Sequence, residues 1–205
     1  GHNIDVVSIA FARDESVFAS LDGFNTIRVW KLPEGKLIPS WKLRKDPQKV
    51  LAFDKAGRLM TIEDNTLVRR DPMTGRETGR KKLPADLDGP YVVSSSGAVL
   101  AAWHSGKVPG KRSIDVLDLD KGELLRSFDP GEACSVLLSP SGKLLGCFRT
   151  LQNGASLKIW DTGDGSAIFS RTFDDLMMGT RGGRLFRALA ISDDGSLIAF
   201  FNGGK

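Results

Sequence analysis

Apolar and polar residues alternate in short segments along the whole chain, and these segments recur at a regular interval. Four segments of one kind begin with Ser or Thr, alternate over five residues and end at a glycine; they are residues 26–35, 66–75, 113–122 and 156–165. Their final glycines are 40, 47 and 43 residues apart. Alternation with a period of two is typical of a β-strand, and glycine supplies the positive φ of a hairpin turn. The pattern therefore predicts one β-hairpin in every repeat.

Two further apolar segments precede each of these hairpins. The pairs are residues 8–11 with 17–20, 50–53 with 58–61, 91–94 with 98–101, 136–139 with 143–146, and 189–192 with 196–199. Another alternating segment, such as residues 37–41 or 124–128, follows the glycine. Each repeat therefore contains four predicted strands, named A to D in chain order, and shows no helical pattern. Four short antiparallel strands in 40 to 47 residues are typical of one blade of a β-propeller.

Two dipeptides add to this pattern. Gly1-His2 opens the first repeat, and Trp160-Asp161 closes strand C of the fourth. In its period and in these dipeptides the chain resembles the WD-repeat family, and the resemblance covers essentially the whole chain. Arg70 and Leu117 stand at the Trp position in repeats two and three, so the motifs are degenerate, like those of bacterial WD-like repeats.

The resemblance implies an all-β propeller of four-stranded antiparallel blades. The blades are expected at residues 1–43, 44–83, 84–129 and 130–173, with an incomplete fifth blade at 174–205. Because a closed ring needs a whole number of blades, we expect an open arc, part of a propeller of about six to eight blades, with two exposed apolar blade faces. The remaining blades are then partners of this chain.

The resemblance also assigns structural roles. It implies that His2, Ser20, Asp22 and Trp30 form a buried hydrogen-bond network, and that Asp161 belongs to the Trp-Asp motif. A blade cannot bury both of its faces alone, so Trp30 and Trp160 are expected to pack between blades. His104 is expected to be an ordinary surface residue.

Composition adds limits to this picture. The chain has 205 residues, of which 40% are apolar and 26% charged, and a formal net charge of +4. Its apolar runs of four to six residues are too short to span a bilayer, so we expect no membrane partner. Two histidines and two cysteines leave little material for metal binding or acid–base chemistry. We therefore expect no catalytic residue, no metal and no cofactor.

Cys134 and Cys147 lie on the predicted strands A and B of repeat four. A two-residue turn at Pro140 and Ser141 would place them directly opposite each other. Such a pair can form a disulfide in an oxidising compartment, or remain as two partly buried thiols in a reducing one. The second state, two reduced thiols, is the one expected here. No leader segment is visible before Ile4, and a cytoplasmic location is expected.

Residues 69–82 contain six basic and two acidic residues and no aromatic residue. A groove for nucleic acid needs interleaved aromatic residues or a wider basic face, so a solvated outer strand is favoured over a nucleic-acid site.

Loops carry the function of most propellers. The two longest connections, residues 105–112 and 174–187, together with residues 44 and 45, predict a basic rim on the face shared by the D–A and B–C loops. We expect a non-catalytic interaction scaffold that binds a protein or peptide of acidic character. The alternatives are solvated insertions without a partner, the propeller appendage of an enzyme such as a signalling kinase, or a propeller enzyme whose site lies in other blades. The expected partner-binding residues are Arg44, Lys45, Lys107, Lys111, Arg112, Arg181 and Arg184.

Overall fold

The computed structural model describes residues 2–43, 51–84, 87–105, 112–151, 154–174 and 186–202. These residues form four four-stranded antiparallel sheets and one two-stranded sheet. Blade one contains β1 (Val6–Phe11), β2 (Val17–Asp22), β3 (Thr26–Lys31) and β4 (Lys36–Lys42); blade two contains β5 (Ala52–Phe53), β6 (Leu59–Glu63), β7 (Thr66–Arg70) and β8 (Glu77–Lys82). Blade three contains β9 (Leu87–Val93), β10 (Val99–Ser105), β11 (Arg112–Asp118) and β12 (Glu123–Phe128); blade four contains β13 (Ser135–Leu138), β14 (Leu144–Leu151), β15 (Gly154–Asp161) and β16 (Ala167–Asp174). The fifth sheet contains β17 (Phe186–Ile191) and β18 (Ile198–Asn202).

The predicted fold class is confirmed. Within each four-stranded sheet every strand pairs with its neighbour in sequence, and the blades are arranged as a β-propeller with an open ring. The described part of the chain contains no helix, and so no helix that could cross a membrane.

Turn chemistry explains why these segments form hairpins. In the A–B turn of blade two, the Asp54 carboxylate accepts hydrogen bonds from the amides of Ala56 and Arg58, and Gly57 has a φ of +74°. In the C–D turn of the same blade, the amide of Gly75 donates to the carbonyl of Asp71. Aspartate side chains and left-handed glycines are the standard means of closing such turns.

Each blade has two faces with different neighbours. We call the face turned toward the next blade in sequence the trailing face, and the opposite face the leading face. In blade one the trailing face carries Ile27 and Val29, which pack against Phe53 and Leu59 on the leading face of blade two. The same arrangement joins blade two to blade three, blade three to blade four, and blade four to the fifth sheet. The hydrophobic core is therefore a series of layers between blades.

The outer strands of blades one, two and three also reach the C–D turn of the following blade. A Cβ atom built on Gly122 would clash with Cε of Lys81, and one built on Gly165 would lie 2.8 Å from Cδ of Arg126. Both glycines have positive φ values. The periodic glycine therefore serves two purposes, because it closes its own turn and leaves room for the preceding blade.

Two details differ from the sequence-based expectations. Val136, not Cys134, pairs with Cys147, because the connection between β13 and β14 is two residues longer than the predicted turn; the expected register was wrong. The second difference concerns the two tryptophans that were expected between blades. Trp160 does pack between blades, where its ring lies 5.7 Å from that of Phe128. Trp30 instead stacks on Phe18 of its own blade, at 5.9 Å, on a face that none of the described blades covers.

Candidate functional site

At one register position on the leading face, the residues and the bonds that they form differ from blade to blade. The pairs Phe18–Trp30, Leu59–Arg70, Leu100–Leu117 and Leu145–Trp160 are equivalent cross-strand pairs between strands B and C. Two residues further along strand B stand Ser20, Thr61, Ala102 and Cys147. Comparison at this position shows which polar groups hold each blade together.

In blade one, the four residues expected to form a network do lie together. Nδ1 of His2 is 2.8 Å from the Asp22 carboxylate, and Nε2 is 2.6 Å from Oγ of Ser20. Nε1 of Trp30 donates to the same Oγ at 3.0 Å. With Nδ1 protonated, Ser20 donates to Nε2 and every member has a partner of the correct type.

The carboxylate of Asp22 anchors this cluster. Burial disfavours its ionised form, but hydrogen bonds from the amide of Thr26, from His2 and from the amide of Phe24 outweigh burial and lower the pKa of Asp22 below its usual value. The cluster therefore ties the N-terminal end of the chain to strands B and C of blade one.

In blade two, an ion pair takes the place of this network. Arg70 stands at the Trp position and donates to Oε1 of Glu63 at 2.6 Å and to Oγ1 of Thr61 at 2.8 Å. Arg69 is buried and donates to the carbonyl of Leu119 in blade three. The expectation that residues 69–82 form a solvated outer strand is therefore correct for β8, whose residues are mostly exposed, and wrong for these two arginines.

In blade three, His104 is more than the surface residue that the sequence led us to expect. Its Nδ1 lies 2.8 Å from the carboxylate of Asp115, a buried residue that also accepts a hydrogen bond from Oγ of Ser127 at 2.6 Å. The carboxylate fixes the orientation of the imidazole ring. Sequence reasoning missed this pair because its members lie on different strands, eleven residues apart.

In blade four, a covalent bond occupies the position. Cys134 and Cys147 form a disulfide, although they are not directly opposite each other. Trp160 lies beside this bridge in the same apolar layer. Asp161 accepts hydrogen bonds from the amides of Gly163 and Asp164, so its side chain closes the C–D turn.

The expected basic rim falls mostly outside the described residues. Arg112 begins β11 and is exposed. The described part of the chain adds exposed Lys42 and Lys82 at the ends of the D strands of blades one and two, and Phe24, whose side chain is 64% exposed, in a B–C turn. In an antiparallel meander these strand ends share one face of the disc, which we call the loop-bearing face. The expected residues outside the described part are Arg44, Lys45, Lys107, Lys111, Arg181 and Arg184.

Signals for the added residues were present in the sequence. Lys42 and Lys82 occupy the same register, opposite Thr26 and Thr66, so the repeat alignment placed both at the same end of their blades. Among the described residues no group of three His, Cys, Asp or Glu side chains is arranged to hold a metal ion.

Comparison with known proteins adds information about the fold. No family model matches the chain. A chain in the solved structure of Kuenenia stuttgartiensis Hydrazine Synthase is similar to this one, with a TM-score of 0.62 and 20% sequence identity. The likeness covers 98% of this chain and 58% of that chain, so this chain spans less than two thirds of the neighbour's length. At this identity the likeness shows the β-propeller fold alone.

Proposed function

We propose that this chain is a non-catalytic interaction scaffold of the WD-repeat kind, and that an acidic protein or peptide binds its loop-bearing face. The observation that carries the proposal is that three cations, Lys42, Lys82 and Arg112, are exposed at strand ends of three successive blades. The sheets hold the backbone of these three residues, so a partner has to order their side chains but no loop.

Phe24 supports a protein partner. Phe24 is 64% exposed at a B–C turn on the same face. An exposed aromatic side chain on the face that carries these cations suits a partner that combines an apolar anchor with acidic residues, because aromatic anchors supply most of the affinity and charges supply steering and specificity.

A second candidate is a structural appendage of an enzyme. It is favoured by the similarity to a chain in a hydrazine synthase structure and by the greater length of that chain. Under this proposal the acidic surface that binds the loop-bearing face belongs to an enzymatic domain or subunit.

The first candidate is tested with a fluorescein-labelled peptide of about ten glutamates, used as the simplest acidic partner. We expect binding, measured by fluorescence anisotropy, to weaken at least about tenfold in the triple variant Lys42→Glu, Lys82→Glu, Arg112→Glu, and to weaken as salt increases. The matched control reverses Lys36, Arg76 and Lys121, which are exposed near C–D turns on the opposite face.

Equal loss of binding in the two triple variants would show that net charge alone attracts the peptide, and would contradict the assignment to this face. Reversal of Lys107 and Arg184 extends the test to the expected rim residues that lie outside the described part.

A further inference from the structure

The leading face of blade one carries a row of apolar side chains that no described residue covers. Phe11, Phe18 and Trp30 lie next to one another across β1, β2 and β3, with ring centroids 5.5 and 5.9 Å apart. Ile9 and Phe11 are 56% and 61% exposed. Leu37 on β4 pairs with Trp30, but its equivalent in blade three, Leu124, is exposed as well. We therefore call Phe11, Phe18 and Trp30 alone the open row.

Apolar residues occupy most of the same positions in the other blades, where they are buried, although blade two has Arg70 at the position of Trp30. The buried equivalents of Phe11 and Phe18 are Phe53 and Leu59 in blade two, and those of Phe18 and Trp30 are Leu100 and Leu117 in blade three and Leu145 and Trp160 in blade four. None of these six is more than 9% exposed. Each pair packs against the trailing face of the preceding blade.

The match between the open row and the row of blade four is the most detailed. Trp160 and Leu145 stand in the registers of Trp30 and Phe18. They pack among Ala101, Ile114, Val116 and Phe128 on the trailing face of blade three. A trailing face of this composition therefore accommodates a Trp at the position of Trp30.

We propose that the open row is the docking surface for the trailing face of a further four-stranded propeller blade. The three interfaces between complete blades all join a trailing face to a leading face, and blade one offers the same leading face in the same register. The greater length of the similar solved chain agrees with additional structure beyond these blades. The surface is separate from the basic loop-bearing face, so the proposal is independent of the proposed function.

The test measures the accessibility of the open row by thiol labelling. Both native cysteines are in the disulfide, so an introduced cysteine is the single free thiol. Phe11→Cys reports on the open row, and Phe24→Cys, on the loop-bearing face, is the matched control with nearly equal exposure of the original side chain. A second copy of residues 87–130, which include blade three, is fused ahead of His2 as the probe blade.

We expect the fusion to slow maleimide labelling of Phe11→Cys about tenfold or more and to leave labelling of Phe24→Cys within about twofold, since labelling then requires the added blade to open. Val116→Asp in the added copy should restore the fast rate, because it places a charge in the new interface. An unchanged rate at Phe11→Cys in the folded fusion would overturn the proposal.

Two further outcomes also decide against it. If labelling of Phe11→Cys in the unfused chain slows as protein concentration rises from about 1 to 100 µM, the occupant is a second copy of the chain. A second fusion carries residues 51–84, which include blade two, in place of residues 87–130. If circular dichroism shows that the added blade stays unfolded in both fusions while the parent chain remains folded, the open row does not accept a blade.

Discussion

The indole of Trp41, on the outer strand of blade one, lies directly against Gly75 in the C–D turn of blade two. A Cβ atom built on Gly75 would stand 2.8 Å from Cδ2 of Trp41, and the φ of Gly75 is +71°. Gly35 occupies the equivalent turn of blade one with a φ of +63°, and no atom lies within 4 Å of its Cβ position. The two glycines share a backbone conformation and differ only in their neighbours.

This pair separates backbone strain from steric conflict. We expect Gly35→Ala to lower the free energy of unfolding by about 1–2 kcal/mol, the cost of a left-handed alanine. Gly75→Ala should cost about 1–3 kcal/mol more, because the methyl group displaces Trp41. Urea denaturation measures both. The additional cost of Gly75→Ala should become smaller when Trp41→Leu is introduced as well. Equal costs at the two glycines would contradict the steric conflict, because they would show that Trp41 moves aside without loss of stability.

The ion pair of Arg70 with Glu63 should matter far more than that of Arg80 with Glu77. The side chains of Arg70 and Glu63 are 12% and 10% exposed, whereas that of Arg80 is 66% exposed. Arg70→Met leaves a buried carboxylate without its partner and should lower the free energy of unfolding by about 3–5 kcal/mol. Arg80→Met is the control, expected to cost less than about 1 kcal/mol. Similar losses for both variants would contradict the structural role of Arg70.

The cluster of blade one should make stability depend on acid pH. The pKa of Asp22 is lowered in the folded chain, so its contribution is present above the unfolded pKa of about 3.9 and is lost as pH falls through the lower folded pKa. We therefore expect Asp22→Asn to be less stable than the parent near pH 7 and the difference to shrink below about pH 4. Thermal melts between pH 7 and pH 2.5 measure it. A difference that stays constant with pH would mean that Asp22 does not act through its charge.

The disulfide predicts that both cysteines of the isolated protein are oxidised. Alkylation under denaturing conditions should find no free thiol, and Cys147→Ser should lower the free energy of unfolding by about 3 kcal/mol, as expected for a closed loop of this size. Reductant should reproduce this loss in the parent chain and leave Cys147→Ser unchanged. Two free thiols in protein prepared without reductant would contradict the bridge. The bridge stands where the sequence led us to expect two reduced thiols.

The fold could be predicted from the sequence because its signals are local and repeated. Alternation in strands such as Thr26–Lys31, with a turn glycine at Gly35, is visible without knowledge of any long-range contact. The repetition of this pattern compensates for the weakness of each single motif, such as Arg70 or Leu117 at a Trp position. Because a four-stranded sheet cannot bury both of its faces alone, successive repeats are expected to stack as blades.

The polar contacts could be predicted only where the resemblance to WD repeats suggested them. His2, Ser20, Asp22 and Trp30 were expected together for that reason. The pairs Arg70–Glu63 and His104–Asp115 carry no such mark, because each depends on the exact register of two strands. A connection two residues longer than the expected turn was sufficient to misplace Cys134 relative to Cys147.

The contacts of the outer strands all run from one blade to the next blade in sequence. Trp41, Lys81 and Arg126 each reach forward to a turn of the following blade. Loss of one blade therefore removes support from the turn of the blade after it, while the C–D turn of the blade before it keeps its neighbour. Opening of one interface should therefore expose an outer strand and the C–D turn of the following blade together. In hydrogen exchange, the amides of a C–D turn should lose protection together with the outer strand of the preceding blade.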